Sequence, residues 1–193
     1  MALGWLDTSP VDRKGWTCGY CGKNVGGDVG YVRESEMLDR GAHKIIYICP
    51  HCENPTAFIE GDGGIIQQVP NATYGADVES LPSAIHDLYQ EVRRCMQYTA
   101  YTSAVLAMRK MLMHVAVDCG APGNKRFVEY VNYLDESHYI PPSAREWVDA
   151  IRKMGNEATH EIAIMSELDA KNLLDFSEML LKIVYEFPAR IAR

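Results

Sequence analysis

The chain has 193 residues, of which 47% are hydrophobic and 23% charged; this composition is typical of a folded globular protein and excludes wholesale disorder. Its net charge of -7 argues against a broad basic surface that binds nucleic acid through phosphates. The apolar runs are too short for a membrane helix and the first residues lack a secretory signal, so we expect a cytoplasmic protein.

Four of the six cysteines form two closely spaced pairs. Cys18 and Cys21 make one Cys-x2-Cys turn, and Cys49 and Cys52 make a second after 27 intervening residues. Two such turns supply the four thiolates that tetrahedral zinc prefers. Because four protein ligands leave no open coordination position, we expect a structural Zn²⁺ that holds the fold and takes no part in chemistry.

The same cysteines allow other interpretations. Disulfides are disfavoured in the expected compartment, and a thioredoxin-like redox pair needs a βαβ pattern that the surrounding sequence lacks. His43 and His51 lie close enough in sequence to replace one of the thiolates. The remaining Cys95 and Cys119 fall in helical patterns, where a free cysteine usually serves as a small core side chain.

Short runs with strand character surround the cysteine pairs. They cover residues 31–37, 44–48, 57–60 and 65–69. The last two runs flank Gly61-Asp-Gly-Gly64, a strong hairpin signal. The sequence therefore predicts a small zinc-ribbon domain within residues 1–69, whose core is thin enough that metal binding contributes to its folding.

Residues 70–82 are rich in Pro, Gly, Asn and Asp and are predicted to be a linker. Helical periodicity then dominates residues 83–193. Predicted helices cover 83–98, 99–118, 126–136, a segment opened by Pro141-Pro142, and 166–186. The expected fold is mostly α: a small N-terminal β zinc ribbon followed by an antiparallel helical bundle.

Three polar residues lie on one flank of the fourth predicted helix. Arg152, Asn156 and His160 follow one another at intervals of four residues, beside an apolar stripe that faces the core. One interpretation is a solvated helix face, or a helix end at which Asn156 and His160 bond a nearby loop. The other is a site for metal-free RNA cleavage, in which arginine stabilises phosphorane-like charge and histidine moves a proton.

The helical half resembles a bacterial and phage family of domains of unknown function, numbered 4145. The matching pieces are Ala104-Val-Leu-Ala-Met-Arg109-Lys-Met-Leu112, Trp147-x3-Ile151-Arg152, Gly155-Asn156-Glu157-Ala158-x-His160 and Phe187-Pro-x-Arg-Ile191. The resemblance implies a HEPN-like helical bundle and a link to defence against foreign nucleic acid. HEPN ribonucleases carry Arg-Asn-x3-His, but Gly155 stands here where their arginine precedes the asparagine.

Together these observations predict an interaction module that is not an enzyme, forms a homodimer, and acts in bacterial or phage nucleic-acid conflict. Its partner is expected to be a protein or a nucleic acid, with no membrane association. One alternative is a metal-independent ribonuclease with Arg152, Asn156 and His160 at a dimer interface. A second alternative is a sensor of a small ligand or nucleotide.

Overall fold

The computed structural model describes residues 5–32, 43–61, 64–144, 146–151 and 164–192. The chain divides into two compact units, Met1–Thr73 and Tyr74–Arg193, each of which has its own core. The expected order of a small β region followed by helices is confirmed. The domain boundaries proposed from sequence, at 69/70 and 82/83, stay predictions.

The N-terminal unit is a five-stranded antiparallel sheet in which each strand pairs with the next along the chain. The strands are β1 Ser9–Thr17, β2 Asn24–Val32, β3 His43–Ile48, β4 Pro55–Gly61 and β5 Gly64–Val69. The predicted hairpin between β4 and β5 is present, with Gly61 paired to Gly64. The predicted strand at 31–37 is seen as the end of β2, and residues 33–37 lie outside the described residues.

Three aromatic rings form the centre of this small core. The ring centroids of Trp16, Tyr47 and Phe58 lie 5.4 to 5.8 Å apart, and each ring is tilted or edge-on to its neighbours. Gly27 on β2 lets the backbone pass close to this cluster, because a Cβ there would lie 2.7 Å from Cη2 of Trp16. Cys18 and Cys49 are buried in the same core.

The second unit is helical. Its elements are α1 Ser83–Gln97, α2 Tyr101–Asp118, α3 Phe127–Glu136, a 3₁₀ turn Pro142–Ala144, helical residues 146–151 (α4) and α5 Glu167–Leu181. The central helix α2 contacts α1, α3 and α5. The predicted end of the second helix at 118 is confirmed, and Gly120 follows it with a left-handed φ of +100°. The predicted start of the last helix at 166 is also confirmed, since the Ser166 side chain caps α5.

The last predicted helix was expected to end near residue 186, and the structure extends it. A π turn over Lys182–Glu186 joins α5 to α6, Phe187–Ile191. Pro188 lies near the start of α6, has no N–H to donate, and brings a ring that crowds the preceding helical turn. A wider π turn just before such a proline leaves more room for its ring.

Residues 74–79 form an extended strap that side chains from α1 and the C-terminal helices hold in place. Arg93 on α1 donates to the carbonyl oxygens of Tyr74 and Gly75 at 3.3 and 3.0 Å, and pairs with Asp77. Glu178 on α5 accepts the backbone N–H of Ala76 at 2.7 Å. Backbone groups that no sheet or helix satisfies are thus bound by side chains.

No helix in the described part of the chain combines the length and the apolar character needed to span a membrane.

Candidate metal centre

The two cysteine pairs lie in turns with the same backbone hydrogen bonds. Cys18 follows β1 and accepts the N–H of Gly22, while its own N–H donates to the carbonyl of Lys23. Cys49 follows β3 and makes the equivalent bonds with Glu53 and Asn54. All four distances are 2.9 to 3.0 Å, so the two turns have equivalent geometry although their sequences differ.

The residue after each pair adopts a left-handed conformation, which closes the turn. Gly22 has a φ of +68°, as expected for a glycine, whereas Glu53 reaches +59° with a side chain. In the second turn, the Asn54 side chain donates to the carbonyl of Cys52 at 3.3 Å and braces the loop. Sequence reasoning missed Lys23 and Asn54, although both stand five positions after the first cysteine of their pair.

The four sulfurs converge on one point. Cys18 Sγ lies 3.7 Å from Cys52 Sγ, Cys21 Sγ lies 3.9 Å from Cys49 Sγ, and all four are within 4.8 Å of one another. Four sulfurs placed tetrahedrally at the Zn–S distance of about 2.3 Å would be about 3.8 Å apart. The cluster therefore has the size of a tetrahedral thiolate site, and the four cysteines can bind a metal ion.

The cysteines are not paired as disulfides. All six are free thiols, and the sulfur separations are far longer than the roughly 2.05 Å of an S–S bond. The disulfide interpretation is therefore excluded for this structure. His51 is no ligand here, since its Nε2 lies 2.5 Å from Lys23 Nζ outside the sulfur cluster; the side chain of His43 lies outside the described residues.

The electrostatics of the cluster differ from one sulfur to another. Burial raises the pKa of the Cys18 thiol to about 12. Burial also acts to raise the pKa of Cys52, but hydrogen bonds from the backbone and side chain of Asn54 and from the neighbouring thiols outweigh it and lower that pKa to about 7. Metal binding requires all four sulfurs as thiolates, and a central cation supplies the charge that makes a buried thiolate stable.

The structure does not test the polar stripe predicted on the fourth helix, because Arg152, Asn156 and His160 lie outside the described residues. Residues of the adjoining apolar stripe are described up to position 151. Ala144, Val148 and Ile151 are buried as predicted. Trp147 was expected in the same buried stripe but is 38% exposed, and its ring lies edge-on to Phe176 with a centroid separation of 6.3 Å.

Comparison with known proteins gives one family match. A family model described as "Domain of unknown function (DUF4145)" matches residues 90–193, which is more than half of the chain. The match begins within α1 and confirms the resemblance that the sequence motifs indicated. No curated protein and no solved structure matches the chain.

Proposed function

We propose that this chain, which belongs to the DUF4145 family, is a non-enzymatic interaction module whose β unit is held together by one structural Zn²⁺. The observation that supports the proposal most directly is the closed set of four convergent sulfurs. Its four ligands fill a tetrahedral coordination sphere, so no position is left for a substrate or an activated water. A metal held in this way stabilises a surface for recognition.

The chemistry of the ligands favours zinc among common metal ions. Thiolate sulfur is a soft donor that suits Zn²⁺ and is a poor ligand for Mg²⁺ or Ca²⁺, which bind oxygen. The two turns hold the cysteines by backbone hydrogen bonds, and Cys18 and Cys49 are fully buried. Cys18, Cys21, Cys49 and Cys52 would bind the ion, and its role would be to cross-link the ends of β1 and β3.

Elemental analysis tests the metal site. Protein purified without added metal should contain about one zinc per chain, and Cys18→Ser should lose most of it. Cys95→Ser is the matched control, because Cys95 is a half-buried cysteine of α1 outside the cluster. Equal zinc in both variants, or no zinc in the wild type, would refute a four-cysteine zinc site.

We further propose that the module acts as a homodimer in bacterial or phage nucleic-acid conflict. Large apolar side chains are exposed on the C-terminal helices; Leu168 is 67% and Ile191 is 87% exposed. Such side chains are common at the cores of subunit interfaces. The net charge of -7 favours a protein partner over direct phosphate contacts.

Light scattering on the full chain tests the dimer, which should have twice the mass of one chain at micromolar concentration. The mass of a single chain would refute the dimer.

The role in nucleic-acid conflict is tested in bacteria that express the protein and are challenged with phages. Wild type and Cys95→Ser should change plaque numbers alike, whereas Cys18→Ser should lose the effect. Equal plaque numbers with and without wild type would contradict the proposed role.

A further inference from the structure

A groove opens on the surface of the helical unit between α1 and α2, with one residue of α3 at its base. Its volume is about 470 Å³, within the usual range for small-molecule sites. The lining is mainly apolar. It consists of Ala84, Ile85, Leu88, Met111, Met113, Val117 and Tyr130, together with Lys110 and His114.

The floor of the groove is formed by buried side chains, and its sides are partly exposed. Ile85, Met111 and Tyr130 are buried in the core of the helical unit. Val117 is 40% exposed, and Leu88 and Met113 are half-buried. An apolar ligand lying here would cover hydrocarbon that now faces water, and it would not need to displace packed side chains.

Two basic side chains lie at the same groove, one helical turn apart on α2. Neither the Lys110 nor the His114 side chain makes a hydrogen bond or ion pair with any residue that the structure describes. Other cations of this unit are differently placed, since Lys171, Lys182 and Arg190 each pair with the glutamate four positions earlier in the chain. The groove thus combines an apolar floor with a cation that has no carboxylate partner among the residues that the structure describes.

We propose that this groove binds a medium-chain amphipathic carboxylate, with its hydrocarbon chain along α2 and its carboxylate at Lys110 and His114. From Lys110 to Val117 the helix rises about 10 Å, which is roughly the length of an extended chain of eight carbons. The ammonium of Lys110 supplies charge, and an N–H of the His114 ring supplies a second donor. This ligand site is independent of the metal centre in the β unit.

Isothermal titration of the full chain with hexanoate, octanoate and decanoate tests the site. Affinity should rise about tenfold for each two methylenes while the chain still fits the groove. The gain should then level off, because carbons beyond the groove remain in water. Decanol and decyltrimethylammonium should bind at least tenfold more weakly than decanoate, since they lack the negative charge.

Variants at exposed positions separate the groove from the rest of α2. Lys110→Glu and Val117→Asp should each weaken decanoate binding at least tenfold. Leu106→Asp is the matched control, because Leu106 is 53% exposed on the same helix and does not line the groove. Circular dichroism should show equal helix content in all three variants.

Several results would overturn this proposal. They are the absence of saturable binding at millimolar decanoate, equal affinity for decanol and decanoate, and equal loss in Leu106→Asp and Val117→Asp. A fourth is a Val117→Asp variant that has half the molecular mass of the wild type but binds decanoate as tightly as the wild type does. That result would assign the groove to contact with a second copy of the chain. Because Lys110→Glu changes only an exposed side chain, it tests the site even if Val117→Asp fails to fold.

Discussion

The two units of this chain reach a stable fold by different physical means. The described core of the β unit contains five buried residues, and two of them, Cys18 and Cys49, belong to the sulfur cluster. The described core of the helical unit contains twenty-eight buried residues, contributed by every helix from α1 to α5. Apolar burial scales with the size of such a core, so the helical unit has much more of it available to offset chain entropy.

This difference explains what the cysteines do for the β unit. Three aromatic side chains bury too little surface to order a five-stranded sheet, and small domains of this kind usually need a metal or disulfides. A bound metal would cross-link the turn after β1 to the turn after β3, and these two turns are far apart in sequence. The β unit should therefore fold only with its metal, whereas the helical unit should fold without one.

Metal removal should produce the largest effect and separates the two units directly. Trp147→Phe leaves Trp5 and Trp16 as the tryptophans, both in the β unit. In this variant, a strong zinc chelator should abolish the near-ultraviolet dichroism of Trp16 and remove one of two thermal transitions. The far-ultraviolet helical signal should change little. The reason is that structural zinc contributes about 10 kcal/mol or more to the folding of small metal-binding domains.

Re-addition of zinc is the control and should restore the Trp16 signal. Loss of the helical signal on chelation would show that the helical unit depends on the metal, and an unchanged Trp16 signal would show that the aromatic core is sufficient alone. Either outcome would contradict the inference that only the β unit needs a metal to fold.

The second largest effect concerns the strap of the helical unit, which polar side chains hold in place. Arg93→Ala should lower the free energy of unfolding of the helical transition by about 3 kcal/mol, because it leaves the carbonyls of Tyr74 and Gly75 without a partner. The ion pair with Asp77 adds little, since Asp77 is largely exposed. Urea denaturation followed at 222 nm measures the change.

Arg94→Ala is the matched control, since Arg94 is the exposed neighbour on α1. It should change the free energy of unfolding by less than about 0.5 kcal/mol. Equal destabilisation by the two substitutions would show that the strap does not depend on its arginine.

A smaller effect is expected at Glu178, which holds the same strap. Burial acts to raise the pKa of this carboxyl, but Lys182 and the N–H of Ala76 outweigh it and hold the pKa below its usual 4.5. A carboxyl with a lowered pKa stabilises the fold above pH 4.5, and this contribution is lost as pH falls through the folded-state pKa. Glu178→Gln should therefore lower the free energy of unfolding by about 1 kcal/mol at pH 7 and by less in acid.

Urea denaturation of the helical transition from pH 7 to pH 3 measures this dependence, with Glu91→Gln on the exposed side of α1 as control. Zinc is released in acid, so only the far-ultraviolet signal is used. A difference between wild type and Glu178→Gln that stays constant with pH would contradict the assigned role of the carboxylate charge.

Local signals made part of this structure predictable from sequence. The spacing of the cysteines fixed both turns, because their hydrogen bonds join residues no more than five positions apart. Gly120 and Ser166 marked helix ends for the same reason. Strand β1 was missed, since Trp16 is its only buried residue and the strand shows no alternation of apolar and polar side chains.

Features that depend on tertiary packing were not predictable. The π turn before Pro188 depends on how the last helix packs and on the proline ring together. The groove at Lys110 arises only where three helices meet, although its residues on α2 follow an ordinary helical spacing. No local pattern marks the role of Arg93, which becomes visible only when the strap lies against α1.

The smallest expected effect is on RNA. Metal-free cleavage needs a proton acceptor near the 2′-hydroxyl and a cation at the non-bridging oxygens, both within hydrogen-bond reach. Gly155 provides no cation beside Asn156 in the sequence, and Arg152 stands eight positions before His160. We therefore expect wild type, His160→Ala and Arg152→Ala to leave structured and single-stranded RNAs equally intact when a chelator is present to remove free metal ions. Zinc content is measured in parallel, because the chelator can also remove the structural metal.

His160→Ala should instead alter the molecular mass or partner binding. If the wild type cleaves RNA and both variants do not, the proposal of a non-enzymatic interaction module is wrong and the protein is a ribonuclease.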